Sequence, residues 1–367
     1  MLVGRGRELA QLRAAVVRTA AGEPGVVLIG GEAGVGKSRL LEEALGDAAV
    51  AGARVLTGGC IELGGVGLPL VPLVEALRML VRSTPAGDLD RLLGPARGEL
   101  SRLLPELAGG APPPPAGGST AQLFELLLGL LSRLGDERPL VLVVEDLHWA
   151  DRSTLDLVAF LVRAVRGIRV LLVLTYRSDE VDRRSPLRPL LSGWERLRGV
   201  EHLQLDRFSR AEAAAQVRAI LGGAAEPGVI DLVFDRSEGN AFFVEELLRT
   251  LREGASEHDL PPSLRDVLLS RVERLSGPAQ RLLRTAAVAG RWVPERLLAE
   301  VATVSAAELY EGLREAVDAS LLVVDGTGRG DGRPDLRPVG GERLLRRGAR
   351  PHRARRRPGE RSPALPA

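Results

Sequence analysis

The chain has 367 residues, of which 45% are hydrophobic, 27% are charged and 3% are aromatic. This length allows two to three domains and at least one sizeable core, which excludes a small scaffold held together by disulfides. The single cysteine, Cys60, cannot form an intrachain disulfide. No apolar run is long enough to cross a bilayer, and the N-terminus lacks the apolar segment of a signal peptide. These features predict a cytoplasmic protein without a membrane segment.

The basic residues are unevenly distributed in kind and in place. The chain contains 50 Lys and Arg residues against 48 Asp and Glu, for a net charge of +2, and Lys37 is the only lysine. Arginine and lysine often replace one another on a solvated surface but not at a compact point-charge site. Lys37 is therefore a candidate for chemistry. The final segment, 328–367, carries 12 arginines and 4 acidic residues.

The N-terminal part of the chain alternates between predicted strands and predicted helices. Residues 26–29 form a β-branched run that ends in glycines, and Leu41 and Leu45 lie four residues apart, as on one face of a helix. Alternation of this kind predicts an α/β domain with a mainly parallel sheet, which we place at residues 1–206. The other strand candidates are 54–57, 140–144, 170–175 and 202–205.

A long segment separates the second strand candidate from the third. Helical patterns lie at 71–80 and 122–134, on either side of the proline-rich stretch 109–118. We expect residues 60–139 to form a mainly helical, mobile insertion on the surface of the domain.

Beyond residue 206, helix starts replace strand patterns. Ser209 with Glu212, and Ser305 with Glu308, match the capping box that opens a helix. The sequence predicts a helical segment at 207–260, followed by a further domain at 261–327.

The last strand candidate, 321–324, resembles one strand of a hairpin whose partner is missing. Residues 328–367 are rich in Arg, Gly and Pro and have neither a helical nor a strand period, so we expect a disordered tail. We hypothesise that this tail is an out-of-frame reading of GC-rich DNA, because the composition changes where a strand partner should follow. Resequencing the gene across residue 328 tests this hypothesis.

Residues 31–38 read Gly-Glu-Ala-Gly-Val-Gly-Lys-Ser and match the phosphate-loop pattern G-x-x-x-x-G-K-[ST] without a mismatch. The glycines allow backbone N–H groups to surround an anion at a helix N-terminus. Lys37 would reach the β- and γ-phosphates, and the Ser38 hydroxyl would bind Mg²⁺. The alternative, an incidental glycine turn, is less consistent with the strand before the loop and the helix after it.

Two carboxylates, Glu145 and Asp146, end the apolar strand at 140–144. A strand-end pair of this kind can hold Mg²⁺ with one group and orient a water with the other. We favour Asp146 for the water and Glu145 for the metal, although the order Glu-Asp leaves these roles open. Arg177 ends the next strand, where it is either a γ-phosphate sensor or a surface cation.

Three other positions have mainly structural interpretations. Asp151 is expected to be the N-cap of the helix that follows it, and Asn240 is expected first of all to cap a helix. His148 is expected to be a satisfied structural histidine.

Taken in order, these motifs resemble the ATPase module of the STAND class of AAA-related P-loop NTPases, in particular the N-terminal part of large LuxR-type transcriptional regulators. The resemblance covers residues 1–327. The stretches that carry it are 4–9 (GRGREL), 31–38, 144–151 (VEDLHWAD), 174–177 (LTYR), 237–248 (SEGNAFFVEELL) and 260–264 (LPPSL).

The resemblance implies a parallel sheet in the order 5-1-4-3-2, an all-α lid and an incomplete winged-helix-like domain. It implies catalytic roles for Lys37, Glu145, Asp146 and Arg177, and Mg²⁺ ligation by Ser38 with the two carboxylates. It also places residues 3–5 near the adenine. The nucleotide-binding residues predicted in this way are Arg5, Gly31, Gly34, Val35, Gly36, Lys37, Ser38 and Arg39.

These observations predict a signalling switch that binds ATP with Mg²⁺ and hydrolyses it slowly. The alternative is a nucleotide-binding scaffold without significant turnover. Self-association or a protein partner is expected to depend on ATP. The basic tail lacks aromatic residues and a reading helix, so DNA contact is expected only through an output domain that this chain does not contain.

Overall fold

The computed structural model divides into two compact units, Met1–Leu248 and Arg249–Ala367. The residues that it describes are 2–63, 66–67, 69–108, 119–223, 225–252, 269, 272–273, 275–289, 293–294, 298, 301, 306–318, 321–325 and 335–338.

A five-stranded parallel sheet forms the centre of the first unit. Its strands are β1 (Gly25–Gly31), β2 (Arg54–Gly59), β5 (Leu140–Glu145), β6 (Val170–Arg177) and β7 (Val200–Leu205), and a short antiparallel pair, β3 (Glu62–Leu63) and β4 (Val66–Gly67), follows β2. The strands of the large sheet lie side by side in the order β2-β5-β6-β1-β7. Counted along the chain, this order is 2-3-4-1-5, which is the predicted order 5-1-4-3-2 read from the other edge. The predicted α/β fold of this unit is confirmed.

Helices lie on both faces of the sheet. They are α1 (Gly6–Ala20), α2 (Lys37–Val50), α3 (Val71–Ser83), α4 (Ala86–Leu93), α5 (Arg97–Leu103), α6 (Thr120–Glu137), α7 (Arg152–Ala164) and α8 (Leu187–Trp194). After the last strand follow α9 (Arg210–Leu221), α10 (Pro227–Ser237) and α11 (Ala241–Arg252). No helix among the described residues is long and apolar enough to cross a membrane.

Alternate residues of β1 enter two different hydrophobic clusters. Val26 and Leu28 pack with residues of α3–α8, whereas Val27 and Ile29 pack with residues of α1 and α2. Because successive side chains of a strand point to opposite faces, the sheet is buried on both sides. This burial explains why the strands read as continuous apolar runs.

The helical segment between β2 and β5 belongs to the core. Leu80 and Leu100 are fully buried, and they join the hydrophobic cluster that includes one face of the sheet. The expectation of a surface insertion was therefore wrong for the described helices at 71–103 and 120–137, because their regularly spaced leucines pack against the sheet. The proline-rich stretch 109–118 lies outside the described residues.

Two predicted helix caps are confirmed. The Ser209 side chain accepts a hydrogen bond from the Glu212 N–H, and the Glu212 carboxylate accepts one from the Ser209 N–H, which completes a capping box. Asp151 accepts hydrogen bonds from the N–H groups of Ser153 and Thr154 at the start of α7. Ser305, predicted to begin a second capping box, lies outside the described residues.

The second unit combines helices with a small antiparallel sheet. Its described elements are α12 (Gly277–Ala289), α13 (Ala306–Asp318), β8 (Val293–Pro294), β9 (Leu322–Asp325) and β10 (Asp335–Pro338). The strands lie in the order β8-β10-β9. Within this unit, the carboxylate of Glu315 accepts hydrogen bonds from the backbone N–H (2.7 Å) and hydroxyl (2.6 Å) of Ser276.

The expectation that the strand at 321–324 has no partner was wrong. Strand β10 pairs with β9 in antiparallel register, with Leu336 opposite Val324. The sequence of β10, Asp-Leu-Arg-Pro, has only four residues and includes a proline, which is depleted in strands, so it is too short and too weak a pattern to predict a strand. The hypothesis of an out-of-frame tail was based on the absence of a partner for the strand at 321–324. Because β10 lies within 328–367 and supplies this partner, that reason no longer holds. Residues 339–367 lie outside the described residues.

Candidate functional site

Three predicted site segments leave the sheet at the same edge. The glycine-rich loop follows β1, Glu145 and Asp146 lie at the end of β5, and Arg177 ends β6. Strand β6 pairs in parallel with both β1 and β5, so the carboxyl ends of all three strands are neighbours. Ligands of open α/β sheets bind outside this edge.

The glycine-rich loop has the backbone geometry of an anion site. Gly34 and Gly36 have φ angles of 77° and 105°, which residues with a side chain rarely adopt. Gly36 is the N-cap of α2, which begins at Lys37. The free N–H groups of the first turn and the positive end of the helix dipole therefore lie at the loop, where they favour a phosphate.

Lys37 is a buried cation that lacks a carboxylate partner within hydrogen-bonding distance among the described residues. Its Nζ donates hydrogen bonds to the carbonyl oxygens of Gly31 (2.7 Å) and Glu32 (2.9 Å). Burial lowers the pKa of Lys37 to about 8, and the nearby charge of Asp179 opposes this shift. A phosphate beside Nζ would supply the counter-charge and favour the protonated form.

Asp146 is held in a constrained conformation at the end of β5. Its φ angle is 58°, and its N–H donates a hydrogen bond of 3.0 Å to the Thr175 hydroxyl on the neighbouring strand. Burial raises the pKa of the Asp146 carboxyl, whereas the charges of Arg177 and Lys37 lower it. Asp146, Lys37 and Arg177 line the same cavity, which is described below.

The charges near Glu145 are those of other carboxylates, whereas Asp146 also has two cations nearby. Burial raises the pKa of its carboxyl, and the charges of Asp146, Glu42 and Glu75 raise it further.

Arg177 is fixed at the end of β6 by three contacts. Its backbone N–H donates to His148 Nδ1 at 3.3 Å, its guanidinium donates to Glu180 at 2.6 Å, and the guanidinium carbon lies 4.7 Å from the centre of the Trp149 ring. His148 Nδ1 accepts this backbone hydrogen bond, and its Nε2 lies 3.7 Å from the Glu180 carboxylate. The cation of Arg177 is partly neutralised by Glu180 in this arrangement.

The segment that follows β7 contacts the glycine-rich loop at three consecutive residues. Arg207 donates hydrogen bonds to the Glu32 carboxylate (2.7 and 2.9 Å), Asn240 Nδ2 donates to the Ala33 carbonyl (2.9 Å), and the Phe242 N–H donates to the Gly34 carbonyl (3.0 Å). We call residues 207–248, which contain α9, α10 and most of α11, the lid segment.

Asn240 has two roles at this contact. It is fully buried. Besides bonding the loop, its Oδ1 accepts a hydrogen bond of 3.4 Å from the Phe243 N–H at the start of α11. The expected helix cap is therefore present, and the same side chain also bonds the glycine-rich loop. The second role depends on a long-range contact that the local sequence does not reveal.

Arg5 is buried next to the glycine-rich loop. Its guanidinium donates to the carbonyl oxygens of Val35 and Asp206, and its guanidinium carbon lies 4.7 Å from the centre of the Phe208 ring. Its Nε is buried and donates no hydrogen bond to any residue that the structure describes. Burial lowers the pKa of Arg5, although the charges of Glu8 and Glu212 oppose this shift.

These groups enclose a cavity of about 460 Å³. Its wall combines the N-terminal segment, the glycine-rich loop, the strand ends and the lid segment. The lining residues predicted from the sequence are Arg5, Gly34, Val35, Gly36, Lys37, Ser38, Arg39, Asp146 and Arg177. The lining residues that were not predicted as site residues are Leu2, Val3, Ala33, Phe208, Gln216, Ala219, Ile220, Ala241, Phe242 and Glu245; of these, Val3 was expected only to lie near the adenine.

Two predicted residues, Gly31 and Glu145, are absent from the described wall of the cavity. Gly31 instead contributes the carbonyl oxygen that Lys37 contacts. Among the unpredicted residues, Gln216, Ala219 and Ile220 share one face of α9 at i, i+3 and i+4 spacing. This pattern was visible in the sequence, but it does not distinguish a cavity face from an ordinary buried face.

The cavity has chemically different ends. Lys37, Ser38 and the backbone N–H groups of the loop form a polar end that suits phosphate, whereas Leu2, Val3, Phe208 and Ile220 supply apolar surface. The Ser38 hydroxyl and the Asp146 carboxylate are oxygen donors, which suit Mg²⁺. Among the described residues there is no cluster of three or more metal-binding side chains.

Residues 1–174 match a protein-family model described as an AAA ATPase domain. The chain is also 30% identical over 334 residues to an uncharacterized protein of Rhizobium meliloti (strain 1021). That match covers 81% of this chain but 30% of the relative, so the chain spans less than a third of the relative's length.

Two solved structures align with most of the chain. A Walker-type ATPase of Pyrococcus abyssi has a TM-score of 0.52 at 17% identity, with coverage of 94% of this chain and 95% of that one. A STAND protein with a tetratricopeptide repeat sensor from Pyrococcus horikoshii has a TM-score of 0.41 at 15% identity, with coverage of 95% and 43%. The first likeness shows the P-loop NTPase fold alone. The family match supports an AAA ATPase-like nucleotide-binding module at residues 1–174.

Proposed function

We propose that this module is a signalling switch that binds ATP with Mg²⁺ and hydrolyses it slowly. The observation that carries the proposal is the contact between the lid segment and Glu32, Ala33 and Gly34, three consecutive residues of the phosphate loop. A phosphate that repositions this loop acts directly on the groups that hold the lid segment. Differential contacts of this kind are what a ligand-driven switch requires.

The proposed chemistry is transfer of the γ-phosphoryl group to water. Lys37 and the loop N–H groups bind the phosphates, and Ser38, Glu145 and Asp146 would hold Mg²⁺, which neutralises phosphate charge when it is bound. We assign orientation of the attacking water to Asp146, because this carboxylate lines the cavity. Arg177 then stabilises charge on the γ-phosphate.

We attribute slow turnover to the pairing of Arg177 with Glu180. Lys37 Nζ is bonded to two carbonyl oxygens of its own loop and keeps its third N–H for a phosphate oxygen. The Arg177 guanidinium divides its charge between Glu180 and the γ-phosphate. This division reduces the electrostatic stabilisation that Arg177 contributes.

We further propose that the switch belongs to a larger cytoplasmic regulator of the LuxR type and that its nucleotide state controls self-association or a partner. The resemblance at the glycine-rich loop, the VEDLHWAD stretch and the SEGNAFFVEELL stretch supports this proposal. So does the length of the curated relative, of which the chain spans 30%.

The pairing of Arg177 with Glu180 at 2.6 Å also favours a second candidate, a nucleotide-binding scaffold that does not turn over. Multiple-turnover release of phosphate from ATP and Mg²⁺ distinguishes the two. We expect slow release that exceeds one phosphate per chain and is lost in Asp146→Asn, because the amide cannot accept a proton or orient the water equally well.

The control for this measurement is Asp136→Asn, which changes an exposed carboxylate at the end of α6. It should release phosphate at the wild-type rate. ATP binding without release beyond one equivalent would favour the scaffold, and unchanged release by Asp146→Asn would contradict the role of that carboxylate.

A further inference from the structure

Helices α6 and α7 form a shallow groove on the outer surface of the first unit. The groove has a volume of about 470 Å³ and is lined by Phe124, Asp156, Ala159, Phe160, Arg163 and Ala164. The ring centres of Phe124 and Phe160 lie 5.6 Å apart. The chain has only six phenylalanines, and aromatic side chains are enriched at the centres of protein interfaces. Two of them in one groove make it a candidate docking surface.

Helix α7 has one buried face and one face that lines the groove. Its buried face packs into the hydrophobic cluster that includes one side of the sheet. On the groove face, Asp156 and Arg163 are exposed, and Ala159 and Phe160 between them are partly exposed. Positions 156 and 163 are two turns apart, which separates them by about 10 Å along the helix axis. The groove face therefore has an acidic end, a small and aromatic centre, and a basic end.

The two charged residues of this face are available to another molecule. Arg163 has neither an ion pair nor a hydrogen bond with any residue that the structure describes. Asp156 forms an exposed ion pair with Arg152, one turn away on the same helix, at 3.1 Å. Exposed pairs of this kind contribute little to stability. Neither charge is therefore needed to hold the fold together.

The order of these residues along α7 is complementary to itself. Asp156 lies three residues before Ala159, and Arg163 lies three residues after Phe160. If a second copy of α7 packs antiparallel across a two-fold axis at this centre, Asp156 of each copy lies opposite Arg163 of the other. Parallel packing in the same register places like charges opposite each other, which is unfavourable. The charge pattern thus selects a second copy in the antiparallel direction.

The centre of the groove face suits close packing of two helices. Ala159 has a short side chain, which allows the helix axes to approach to the lower end of the usual range of about 8–10 Å. Phe160 keeps part of its surface exposed in the single chain, and a second copy would bury it. Burial of this apolar surface supplies the affinity, whereas the charges at the two ends fix the direction.

We propose that the groove between α6 and α7 is an interface between two copies of this chain. Helix α7 packs antiparallel against α7 of the second copy, with the two-fold axis beside Ala159 and Phe160. The inference goes beyond the proposed function and does not depend on nucleotide binding, because the groove shares no lining residue with the nucleotide cavity. It gives self-association a specific surface.

The first test reverses the two charges of α7 singly and together. Sedimentation equilibrium of the full chain at micromolar concentrations gives the dissociation constant of the dimer. We expect this constant to rise at least about tenfold in Asp156→Arg and in Arg163→Asp, because each change places like charges opposite each other at two symmetric positions. The double variant exchanges the two charges and should restore a dissociation constant close to that of the wild type.

Glu43→Arg is the matched control for these reversals. Glu43 is an exposed carboxylate of α2, a helix that packs on the opposite side of the sheet, so its reversal should leave the dissociation constant unchanged. A wild-type chain that remains monomeric throughout the concentration range would overturn the proposal. Single reversals without effect would also overturn it, as would a double variant that does not dimerise.

The second test introduces a cysteine beside the two-fold axis. In Ala159→Cys the two new thiols face each other across the axis, so mild oxidation should yield a disulfide-linked dimer on a non-reducing gel. Glu43→Cys is the control and should stay monomeric. Cys60 is buried, and burial raises its pKa to about 12, which makes it unreactive.

The cysteine test also decides the question if a charge variant does not fold. A disulfide requires the two Cα atoms to lie within about 7 Å of each other, so the linked dimer forms only if the two copies meet at this position. Absence of a linked dimer in folded Ala159→Cys would overturn the proposal.

Discussion

At the scale of single residues, the sequence identified the glycine-rich loop and its lysine but not the rest of the cavity wall. Lys37 was identified because it is the only lysine in the chain and lies in an unbroken motif. The remaining wall of the cavity could not be predicted in this way. Phe208 and Gln216 lie far from the motif along the chain, and no local pattern shows that two distant segments meet.

The ionisation of Lys37 predicts a pH dependence of nucleotide affinity. In the free protein its pKa is about 8, and bound phosphates raise the pKa because they favour the charged form. Above pH 8 most Lys37 side chains of the free protein are neutral, so nucleotide binding is coupled to the uptake of a proton by Lys37. We expect ADP affinity, measured without Mg²⁺, to be constant below about pH 7 and to fall above pH 8 by at most roughly tenfold per pH unit.

Lys37→Arg provides the control for this prediction. Its guanidinium stays protonated across the whole range, so its ADP affinity should not fall between pH 8 and pH 9, whatever its value. A wild-type affinity that is independent of pH up to 9, measured by titration calorimetry, would contradict the shifted pKa.

At the scale of elements, long apolar strands were predictable and the very short strand β10 was not. Strands β1, β5 and β6 are buried on both faces and read as continuous apolar runs. Strand β10 has only four residues, and its partner in the chain is separated from it by nine residues. The helices between β2 and β5 were predicted as helices, but their burial against the sheet depends on packing that periodicity alone does not locate.

Close packing of β2 against α3 gives a stability prediction. A Cβ atom on Gly58 would lie 2.0 Å from the carbonyl oxygen of Pro72, so Gly58→Ala requires the backbone of α3 to shift. We expect a loss of about 1–3 kcal/mol in the free energy of unfolding. Gly46→Ala is the matched control, since Gly46 is exposed on α2 with no atom near the added methyl group.

The control should raise the free energy of unfolding by about 0.5–1 kcal/mol, because alanine favours a helix. Urea unfolding of the full chain measures both variants. Equal stabilities for Gly58→Ala and the wild type would show that the contact between β2 and α3 is looser than the structure indicates.

At the scale of the whole molecule, the sequence predicted the α/β core and placed the end of the helical segment after it at residue 260. The contacts divide the chain after Leu248, so that the lid segment belongs to the same compact unit as the sheet. The cavity-lining residues that the structure describes lie between Leu2 and Glu245.

This division predicts that a fragment of residues 1–252, which keeps all of α11, binds ADP as tightly as the full chain. Fluorescence titration of both proteins with a labelled ADP makes the comparison. Circular dichroism establishes first that the fragment is folded. Markedly weaker binding by a folded fragment would show that residues beyond 252 contribute to the site.

The central claim is that the cavity binds a nucleotide through its phosphates. The most direct test is the equilibrium binding of ATP with Mg²⁺ to the full chain, to Lys37→Ala and to Arg82→Ala, in which an exposed cation of α3 is removed. The account predicts binding by the wild type and Arg82→Ala, and a loss of at least about tenfold in Lys37→Ala, because a charge-assisted contact to phosphate is removed. Equal affinities for the wild type and Lys37→Ala would contradict it.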